Sequence, residues 1–475
     1  MFKQLTYVPV SADSIPFAAA AEICRFDEIG YAEDEYFMSG TANIYAESES
    51  GKPETISSDA PYTTRLLVRR PKDITRFSGN VVLEILNATA NVDIDRMWVN
   101  SWQFFTRQGD IYVGITSKGH VVDSLLSFDA KRYAPINWAN PMPDRTPPSG
   151  SEDWGILSFL PQFESGLFWD MLTDCAKLLR DTNGLNPIRD YPNRHIFLTG
   201  WSQSGFYIAR YLKNFYDPSS PLFDGYLSAG SWAICAPLNA CEAPVKLSNG
   251  CMPQGSVMGG AEPVIAVNTE SENRSVFWYG DFDEPDFKFR TYQIPACSHD
   301  TKYNLMGYCS PIGVFNRYSG VDGDPLDYPC EVIFNAAFYH LYAWARHGIP
   351  APHAPKIETR MAFGRSTDPM GGYADNVRDV FGNAKGGIRT PAVDFPTGKY
   401  TSFSVNKDGV VNPMFGKVNP FPPELLKQLY DNLENYRALV TASAYDMIAK
   451  GFMLPEDKEA FIERVVVTAH ERGLE

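Results

Sequence analysis

The sequence lacks the basic clusters that mark proteins of nucleic acids and anionic membranes. It contains 42 lysine and arginine residues against 57 aspartate and glutamate residues, a formal net charge of −15, and no five basic residues in a row. Because such surfaces are bound through clustered Lys and Arg side chains, we expect neither nucleic acid nor a membrane as a partner. The acidity itself is interpreted as a contribution to solubility.

Long apolar segments are also missing. No stretch reaches the 18 apolar residues that a membrane-spanning helix needs, so no span is predicted. The N-terminal segment "MFKQLTYVPVSADSIPFAAAAEIC" has no continuous apolar stretch behind a basic start, which predicts no signal peptide. We therefore expect a cytoplasmic protein, although the mature form of an exported protein would show the same pattern.

Metal and redox motifs are missing as well. The eight cysteines form no Cys-x-x-Cys pair, so neither a zinc site nor a dithiol redox site is predicted. Six of them lie between residues 235 and 330, and without a secretion signal we expect them to be mostly reduced. The sequence implies no metal and no organic cofactor.

What the sequence does contain is an alternation of short apolar runs and amphipathic segments. Hydrophobic residues make up 44% of the chain, which is enough for a large core. Runs bounded by turn residues predict strands at "TRLLVRRP", "GNVVLEILN", "GDIYVGITS", "RHIFLTG", "PVIAVNT" and "RTYQIPA". Helices are predicted at "LFWDMLTDCAKLLRDTNG", "FYIARYLKNFYD" and "FNAAFYHLYAWARHG". This alternation predicts an α/β fold, with a mostly parallel central sheet and helices on both faces.

A single domain is expected to contain the whole chain, residues 1–475, with insertions. Residues 118–165 are dense in Pro, Asp and Trp, most clearly in "NPMPDRTPPSGSEDWG", and are interpreted as a surface insertion, either an inert loop or a lid. Residues 300–328 form a second irregular segment, a candidate second lid element. Residues 413–475 are predicted to be a C-terminal helical segment packed on the core.

The stretch "FLTGWSQSGF", residues 197–206, places a serine between a predicted strand and a predicted helix. This is the setting of a nucleophile elbow, the strained turn that exposes a catalytic serine. The usual pattern is Gly-x-Ser-x-Gly, whereas here Ser204 occupies the last position and the glycine follows as Gly205. Gly200 still gives room before the turn and Gly205 still allows close helix packing, so Ser202 is the predicted nucleophile. The alternative is a strand–helix turn without chemistry.

A serine nucleophile needs a histidine as its base, and the sequence has only seven histidines. With this type of turn, the acid and then the histidine follow the serine along the chain. His120 and His195 precede the serine, whereas His299, in "TYQIPACSHD", directly follows a predicted strand. His299 is therefore the predicted base. The other histidines lie in or at the end of a helix, in a Pro-rich segment or near the C-terminus, and they are His340, His347, His353 and His470.

The acid that orients the histidine is expected after the preceding strand, "PVIAVNT". The segment that follows this strand offers two carboxylates, Glu270 and Glu272. Counting three residues from Thr269, which closes the strand, favours Glu272, and Glu270 is the fallback. Asp281 and Asp283 are weaker alternatives. A carboxylate at this place would hold the imidazole in the right tautomer and stabilise the imidazolium.

Two backbone N–H groups are expected to stabilise the oxyanion. The strained turn aims the N–H of Gln203 at the developing charge. The loop after "NVVLEILN" offers Ala88 as the second donor, with Asn87 or Thr89 close behind. Asn87 and Trp201, which adjoin these positions, are assigned to substrate binding.

Several longer stretches together resemble one known family. They run from about residue 30 to about residue 400 and are "EYFMSGTANIY", "APYTTRLLVRRP", "GNVVLEILNATANVD", "GWSQSG", "QIPACSHD", "WARHGIPAP" and "VRDVFGNAKGGIRTPAVDFP". The ordered string "GNAKGGIRTPAVD" is especially specific. On these residues the chain resembles the α/β-hydrolase-domain family of bacterial and fungal serine esterases.

The chain is also distantly similar to tannase and feruloyl-esterase types. Those proteins place one cysteine beside the serine and another beside the histidine. Here Trp201 precedes the serine and Cys297 lies two residues before the histidine, so that disulfide is not expected.

The family resemblance implies an α/β-hydrolase fold with a Ser–acid–His triad. Ser202 and His299 match the motifs "GWSQSG" and "QIPACSHD", and the acid lies in "TESE". We therefore expect a serine hydrolase that cleaves a carboxylic ester or lactone. The tryptophans Trp138, Trp154 and Trp201 favour a small-molecule substrate with an apolar or aromatic group.

Two other functions stay open at this stage. The same triad could transfer the acyl group to an alcohol or amine, or a catalytically silent fold could bind a ligand. The stretch "GGIRTP" is interpreted as a fixed turn with a structural role.

Overall fold

The computed structural model describes residues 1–475 except for 21–22, 145–163, 183, 232–233, 243–244, 247–259, 274–279, 304–322, 362–373, 406–408, 410 and 413. By their internal contacts the described residues divide into two compact units. The first contains Met1–Val264 and Asp283–Phe289, and the second contains Ile265–Phe282, Arg290–Met306 and Val314–Glu475, each without the residues excepted above. The expectation of a single domain stays a prediction.

The strands of the described residues, in chain order, are β1 Phe2–Val8, β2 Tyr31–Glu47, β3 Pro53–Pro71, β4 Asn80–Ile85, β5 Ile111–Ile115, β6 His195–Trp201, β7 Gly225–Ala229, β8 Ile234–Cys235, β9 Val245–Lys246, β10 Val264–Thr269, β11 Phe282–Glu284, β12 Phe287–Ile294, β13 Asp324–Pro325, β14 Thr359–Met361, β15 Ala374–Asn376, β16 Gly398–Thr401, β17 Ser404–Val405, β18 Val411–Asn412 and β19 Lys417–Pro420.

The α-helices of the described residues are α1 Arg96–Gln108, α2 Val122–Phe128, α3 Ala130–Tyr133, α4 Phe168–Arg180, α5 Gln203–Asn214, α6 Glu270–Asn273, α7 Glu331–His347, α8 Pro391–Asp394, α9 Pro423–Tyr430, α10 Leu433–Ala449 and α11 Lys458–Glu471. Short 3₁₀ turns lie at Ile74–Arg76, Gly119–Val121 and Pro455–Asp457. None of these helices combines the length and the apolar character that a membrane crossing requires.

The first unit is built on a sheet in which parallel strands adjoin an antiparallel edge. Its strands are ordered β1-β2-β3-β5-β4-β6-β7. The strands β5, β4, β6 and β7 run parallel, whereas β1, β2 and β3 pair antiparallel and β3 also meets β5 antiparallel. Because the carboxyl ends of parallel strands meet at one edge of a sheet, the residues that follow β4, β5 and β6 lie along that edge.

The central strand of this sheet shows why these residues form a buried strand. All six residues of β4 are buried, and five of them belong to the run Val-Val-Leu-Glu-Ile. A nearly continuous apolar run is typical of a strand that is covered on both faces. The helix α4 instead spaces its buried residues by three and four positions, as Phe168, Leu172, Cys175 and Leu179 illustrate.

In the second unit, β10 and β12 are neighbouring strands, and β13, β19 and β16 form a small antiparallel sheet. The single-turn helix α6 follows β10 directly. The long helix α7 ends at Gly348, whose φ of 67° lies in the left-handed region that favours glycine. The helices α9, α10 and α11 lie in the C-terminal part of the chain. A helical segment over residues 413–475 that packs on the core stays a prediction.

The predicted alternation of strands and helices is confirmed. The six predicted strands correspond to β3, β4, β5, β6, β10 and β12, and the three predicted helices to α4, α5 and α7. The length of the β2–β3 pair is the main feature that the sequence analysis missed. Pairing extends from Tyr31 opposite Pro71 to Glu47 opposite Pro53, through residues such as Asp, Asn and Gly that have low strand propensity.

The first part of the predicted lid insertion packs into the first unit. Residues 118–144 include the short helices α2 and α3. Arg132 of α3 is buried, with its Nε 2.5 Å from Glu35 on β2 and its Nη1 donating to the carbonyl of Pro9 at 2.8 Å. Residues 145–163 and 304–322 lie outside the described residues. A lid role for either predicted element stays a prediction.

Candidate active site

The predicted nucleophile lies at a strained turn between β6 and α5. The buried strand β6 pairs in parallel with β4 and β7, and the N–H of Ser202 extends this ladder with a 2.8 Å bond to the carbonyl of Ala229. Ser202 then adopts φ 58° and ψ −119°, and α5 begins at Gln203. A positive φ at a residue with a side chain costs of order 1–3 kcal/mol and persists only where the surroundings impose it.

Close packing explains why this turn tolerates a displaced glycine. A Cβ at Gly200 would lie 2.6 Å from the Cβ of Ser204, so the missing side chain at Gly200 makes room for the serine that replaces the usual second glycine. A Cβ at Gly205 would lie 2.5 Å from both Cβ and Oγ of Ser231. Real Cβ atoms do not approach so closely, so position 205 accepts only glycine without a shift of its neighbours.

Asn87 connects the end of β4 to the nucleophile turn. Its Nδ2 donates a 2.9 Å hydrogen bond to the carbonyl of Trp201, the residue before Ser202. Its Oδ1 accepts from the N–H of Thr89 at 3.0 Å, and its backbone exchanges two hydrogen bonds with Ile94. The side chain of Asn87 thus fixes the peptide that leads into the strained serine.

The two predicted oxyanion donors lie at the same sheet edge. Gln203 is the first residue of α5. Its N–H therefore has no hydrogen-bond acceptor within the helix. Ala88 is fully buried in the loop after β4, and its carbonyl lies 2.8 Å from Nε2 of His120 and accepts the N–H of Asn91 at 3.0 Å. These bonds hold the peptide that joins Ala88 to Thr89. The N–H of Ala88 belongs to the preceding peptide, whose carbonyl, that of Asn87, accepts the N–H of Ile94 at 2.9 Å.

The sequence analysis rejected His120 as the catalytic base because it precedes Ser202. In the structure its ring contacts the carbonyl of Ala88. Burial lowers the pKa of His120 to about 4, so its ring is neutral at pH 7. The ring can therefore donate from Nε2 to the carbonyl of Ala88. The signal that could have found it is its position just after β5, at the carboxyl edge of the parallel strands.

The tryptophans assigned to the substrate are mostly interior. Trp201 is 2% exposed, its ring lies 4.3 Å from the guanidinium of Arg96, and Gly230 packs against it so closely that a Cβ there would be 2.7 Å from the ring. Trp138 is 9% exposed, and Trp154 lies outside the described residues. Substrate contact by Trp201 or Asn87 therefore stays a prediction, whereas their observed contacts are within the protein.

The second unit brings Glu272 and His299 together. Oε1 of Glu272 lies 2.6 Å from Nδ1 of His299, and both side chains are buried. Since a carboxylate only accepts hydrogen bonds, Nδ1 carries the proton and Nε2 is left as the acceptor of the neutral ring. Oε2 of Glu272 is held by the N–H and the Oγ1 of Thr269, at 2.6 Å and 2.8 Å. Both ends of the carboxylate are thus fixed.

Neighbouring residues of α6 hold the backbone around His299. The Oγ of Ser271 accepts the N–H of His299 at 3.0 Å and donates to the carbonyl of Ser402 at 2.8 Å. Glu270, the fallback acid, accepts the N–H of Ala296 at 2.7 Å and pairs with Arg378 at 2.6 Å. Of the two candidate glutamates, it is therefore Glu272 whose carboxylate contacts the imidazole.

The stretch "GGIRTP" packs on the strand that leads to His299. The N–H of Ile388 donates to the carbonyl of Gln293 on β12 at 2.7 Å. Gly387 has a φ of 67°, and a Cβ there would lie 2.8 Å from the same carbonyl. The glycine is required by both its backbone conformation and this close approach, which agrees with the structural role that was predicted.

A second buried carboxylate, that of Glu84, holds the first turn of α1. Glu84 of β4 accepts hydrogen bonds from the N–H groups of Met97 and Trp98, in the first turn of α1, and from the hydroxyl of Tyr112. Burial raises the pKa of Glu84 to about 8. The sequence analysis missed this residue, and the available signal was a glutamate inside an otherwise apolar strand.

Comparison with known protein families gives one match over most of the chain. A family model described as "Alpha/beta hydrolase domain" matches residues 5–463. Among curated proteins, none matches the chain. The distant similarity to tannases and feruloyl esterases stays a prediction.

Three solved structures to which the chain is similar share little sequence with it. An α/β serine hydrolase without lid from Xanthomonas campestris is 8% identical, with a TM-score of 0.28, and the match covers 56% of this chain and 87% of the other. An α/β serine hydrolase homologue from Coxiella burnetii is 8% identical, with a TM-score of 0.26 and coverages of 53% and 86%. An esterase domain from Rhodothermus marinus is 11% identical, with a TM-score of 0.21 and coverages of 49% and 75%. At these values the likenesses carry no argument about the reaction.

Proposed function

The chain belongs to the alpha/beta hydrolase domain family, and we propose that it is a serine hydrolase that cleaves a carboxylic ester or lactone. The observation that carries this proposal is the backbone of Ser202, with φ 58° and ψ −119° between a buried parallel strand and a helix. A serine has no structural need for this conformation. In a hydrolase, the same strain lifts the hydroxyl out at the carboxyl edge of the sheet.

The base and the acid of the proposed triad are His299 and Glu272. Nε2 of His299 takes the proton from Oγ of Ser202 as the oxygen attacks the carbonyl carbon of the substrate. Glu272, hydrogen-bonded to Nδ1 at 2.6 Å, keeps the ring in the required tautomer and stabilises the imidazolium. The protonated ring then donates to the leaving alcohol, and a water molecule activated by His299 clears the acyl-enzyme.

The N–H groups of Gln203 and Ala88 are proposed to stabilise the tetrahedral oxyanion. The first amide lies at the N-terminus of α5, where the helix dipole adds a partial positive charge. The second belongs to the peptide that joins Asn87 to Ala88, whose carbonyl accepts the N–H of Ile94 at 2.9 Å. Donors that are fixed before the reaction stabilise the developing charge without reorganisation.

The substrate is proposed to be a small-molecule ester with an apolar or aromatic group. The aromatic content of the chain, 13%, is compatible with an apolar pocket as well as with a large core. A panel of aliphatic and aromatic esters and of lactones tests this part of the proposal. Equal or higher rates on esters with polar or charged groups than on aliphatic and aromatic esters would contradict it.

Labelling with a fluorophosphonate probe tests the function itself. We expect a single covalent adduct, mapped by mass spectrometry to Ser202 and absent from Ser202→Ala, because only an activated serine attacks the probe. Absence of labelling on the folded protein, in the presence and absence of mild detergent, would overturn the proposal. Addition of an alcohol to the ester assay then separates hydrolysis from acyl transfer through the product ratio.

A further inference from the structure

Glu270 lies in the same helical turn as the proposed acid, α6, but its carboxylate is directed to the backbone before His299. The side chain is fully buried, and Oε2 accepts a 2.7 Å hydrogen bond from the N–H of Ala296. The backbone N–H of Glu270 donates to the carbonyl of Cys297 at 3.1 Å. Glu270 therefore holds two successive residues of the segment that leads into His299.

Ala296 needs a strong partner because its own backbone is strained. Its φ is 60°, in the left-handed region that residues with a side chain avoid. This conformation is energetically costly and persists only where the surrounding structure imposes it. A hydrogen bond from an N–H to a carboxylate is shorter and about twice as strong as one between neutral groups. The carboxylate of Glu270 is thus well suited to hold this turn.

The negative charge of Glu270 is balanced by Arg378, which contacts the carboxylate oxygen that does not bind Ala296. Oε1 lies 2.6 Å from Nη2 of Arg378 and accepts Nδ2 of Asn376 at 3.2 Å. A buried carboxylate is stable only when it is paired and hydrogen-bonded, and here each oxygen has a partner. The arrangement connects the segment 374–378 to the turn at Ala296 through a single side chain.

We propose that Glu270 is a positioning residue for His299, a role that rests on the proposed function of the site. Glu272 orients the imidazole ring, and Ser271 holds the N–H of His299. Glu270 fixes the strained turn at Ala296, which positions the backbone that leads into His299. A misplacement of a catalytic group by about 1 Å can cost about 10²-fold in rate. Release of the Ala296 turn is therefore expected to slow the chemical step and not to weaken substrate binding.

The test compares two variants that differ in the acceptor for the N–H of Ala296. Glu270→Ala removes the acceptor and leaves Arg378 without this carboxylate. The double variant Glu270→Gln with Arg378→Gln keeps a side-chain carbonyl for the N–H of Ala296 and removes both charges together. Circular dichroism and the melting temperature establish that each variant is folded at the assay temperature.

Two readouts distinguish positioning from simple stability. In Glu270→Ala we expect kcat and the rate of fluorophosphonate labelling to fall by about 10-fold to 100-fold, with KM changed by less than about threefold. In the double variant we expect both rates to recover to within about fivefold of the wild-type values. Wild-type rates in Glu270→Ala, or equal losses in both variants, would overturn the positioning role.

A third readout does not depend on catalysis. Histidine nitrogen chemical shifts report which ring nitrogen of His299 carries the proton, with assignment by comparison with His299→Gln. We expect the Nδ1-protonated form in the wild type and the double variant, and a mixture of tautomers in Glu270→Ala. An unchanged tautomer in Glu270→Ala overturns the inference even if the wild type proves inactive. Inactivity of the wild type would instead overturn the proposed function.

Discussion

Glu272 holds His299 through a 2.6 Å contact between Oε1 and Nδ1, while its other oxygen is held by the N–H and the hydroxyl of Thr269. The acid is therefore fixed by the residue that ends β10, three positions earlier in the chain. This contact sets the tautomer of the histidine, with Nδ1 protonated and Nε2 as the proton acceptor of the neutral ring.

The first prediction concerns this acid. Glu272→Gln keeps the size of the side chain, but its amide can donate to Nδ1 and so favour the wrong tautomer. We expect kcat to fall by about 10⁴-fold with little change in KM, as measured by steady-state ester hydrolysis.

The matched control for Glu272 is Asp281→Asn. Asp281 accepts the N–H of Thr291 at 3.0 Å and pairs with Lys356 at 3.0 Å, so its loss should leave kcat within about threefold of the wild type. A large loss in Asp281→Asn together with an active Glu272→Gln would show that the acid is wrongly assigned.

The second prediction concerns the displaced glycine. Gly205→Ala would place a Cβ 2.5 Å from Ser231, and such overpacking costs about 1–3 kcal/mol. We expect a lower melting temperature and slower fluorophosphonate labelling, because the helix that follows Ser202 must shift. Adding Ser231→Gly to Gly205→Ala removes both atoms of the closest contact and should restore part of the stability. A double variant no more stable than Gly205→Ala would count against this explanation.

The third prediction concerns the support of the nucleophile turn. Asn87→Asp replaces the N–H donor with a carboxylate oxygen that faces the carbonyl of Trp201, and the buried carbonyl loses its partner. We expect a loss of about 1–3 kcal/mol in stability, measured by denaturant unfolding, and a reduced kcat. Asn137→Asp is the control, because Nδ2 of Asn137 also donates to a carbonyl, that of Pro61 at 3.4 Å, but on the surface. Similar losses in both variants would contradict a specific role for Asn87.

The fourth prediction concerns the pH dependence of stability. Burial raises the pKa of Glu84 from its ordinary value of 4.5 to about 8, so the folded protein holds a proton that the unfolded chain releases. The stabilising effect of this proton is complete below about pH 4.5 and is lost as the pH rises towards about 8. We expect the melting temperature of the wild type, relative to Glu84→Gln, to fall across this interval.

Glu54→Gln, an exposed substitution on β3, is the control for Glu84, and its melting curve should follow the wild type at each pH. A constant difference between the wild type and Glu84→Gln over the interval would show that Glu84 does not titrate there.

Much of the fold was predictable because its signals are local. Strands such as β4 and β6 are short buried runs bounded by turn residues, and α4 and α5 carry their apolar residues at helical spacing. The α/β-hydrolase fold expected from these segments and from the family resemblance is confirmed by the match over residues 5–463. The full length of the β2–β3 pair was not predicted from the sequence. Pairing between the two strands stabilises it, and the local strand propensity of residues such as Asp, Asn and Gly within it is low.

The sequence by itself determined where a strained serine can lie, since the strand, the turn, the small residues and the helix are all encoded within residues 194–214. It also favoured two glutamates, Glu272 and Glu270, over Asp281 and Asp283 as the acid. Only the tertiary structure decided which glutamate contacts His299 and which one holds Ala296. The physical reason is that Glu270 and Glu272 are two positions apart on a helical turn, so they point in different directions. The partners that distinguish the two roles, Ala296 and Asn376 for Glu270 and His299 for Glu272, are 26 or more residues away in the chain, and local sequence patterns do not specify their positions.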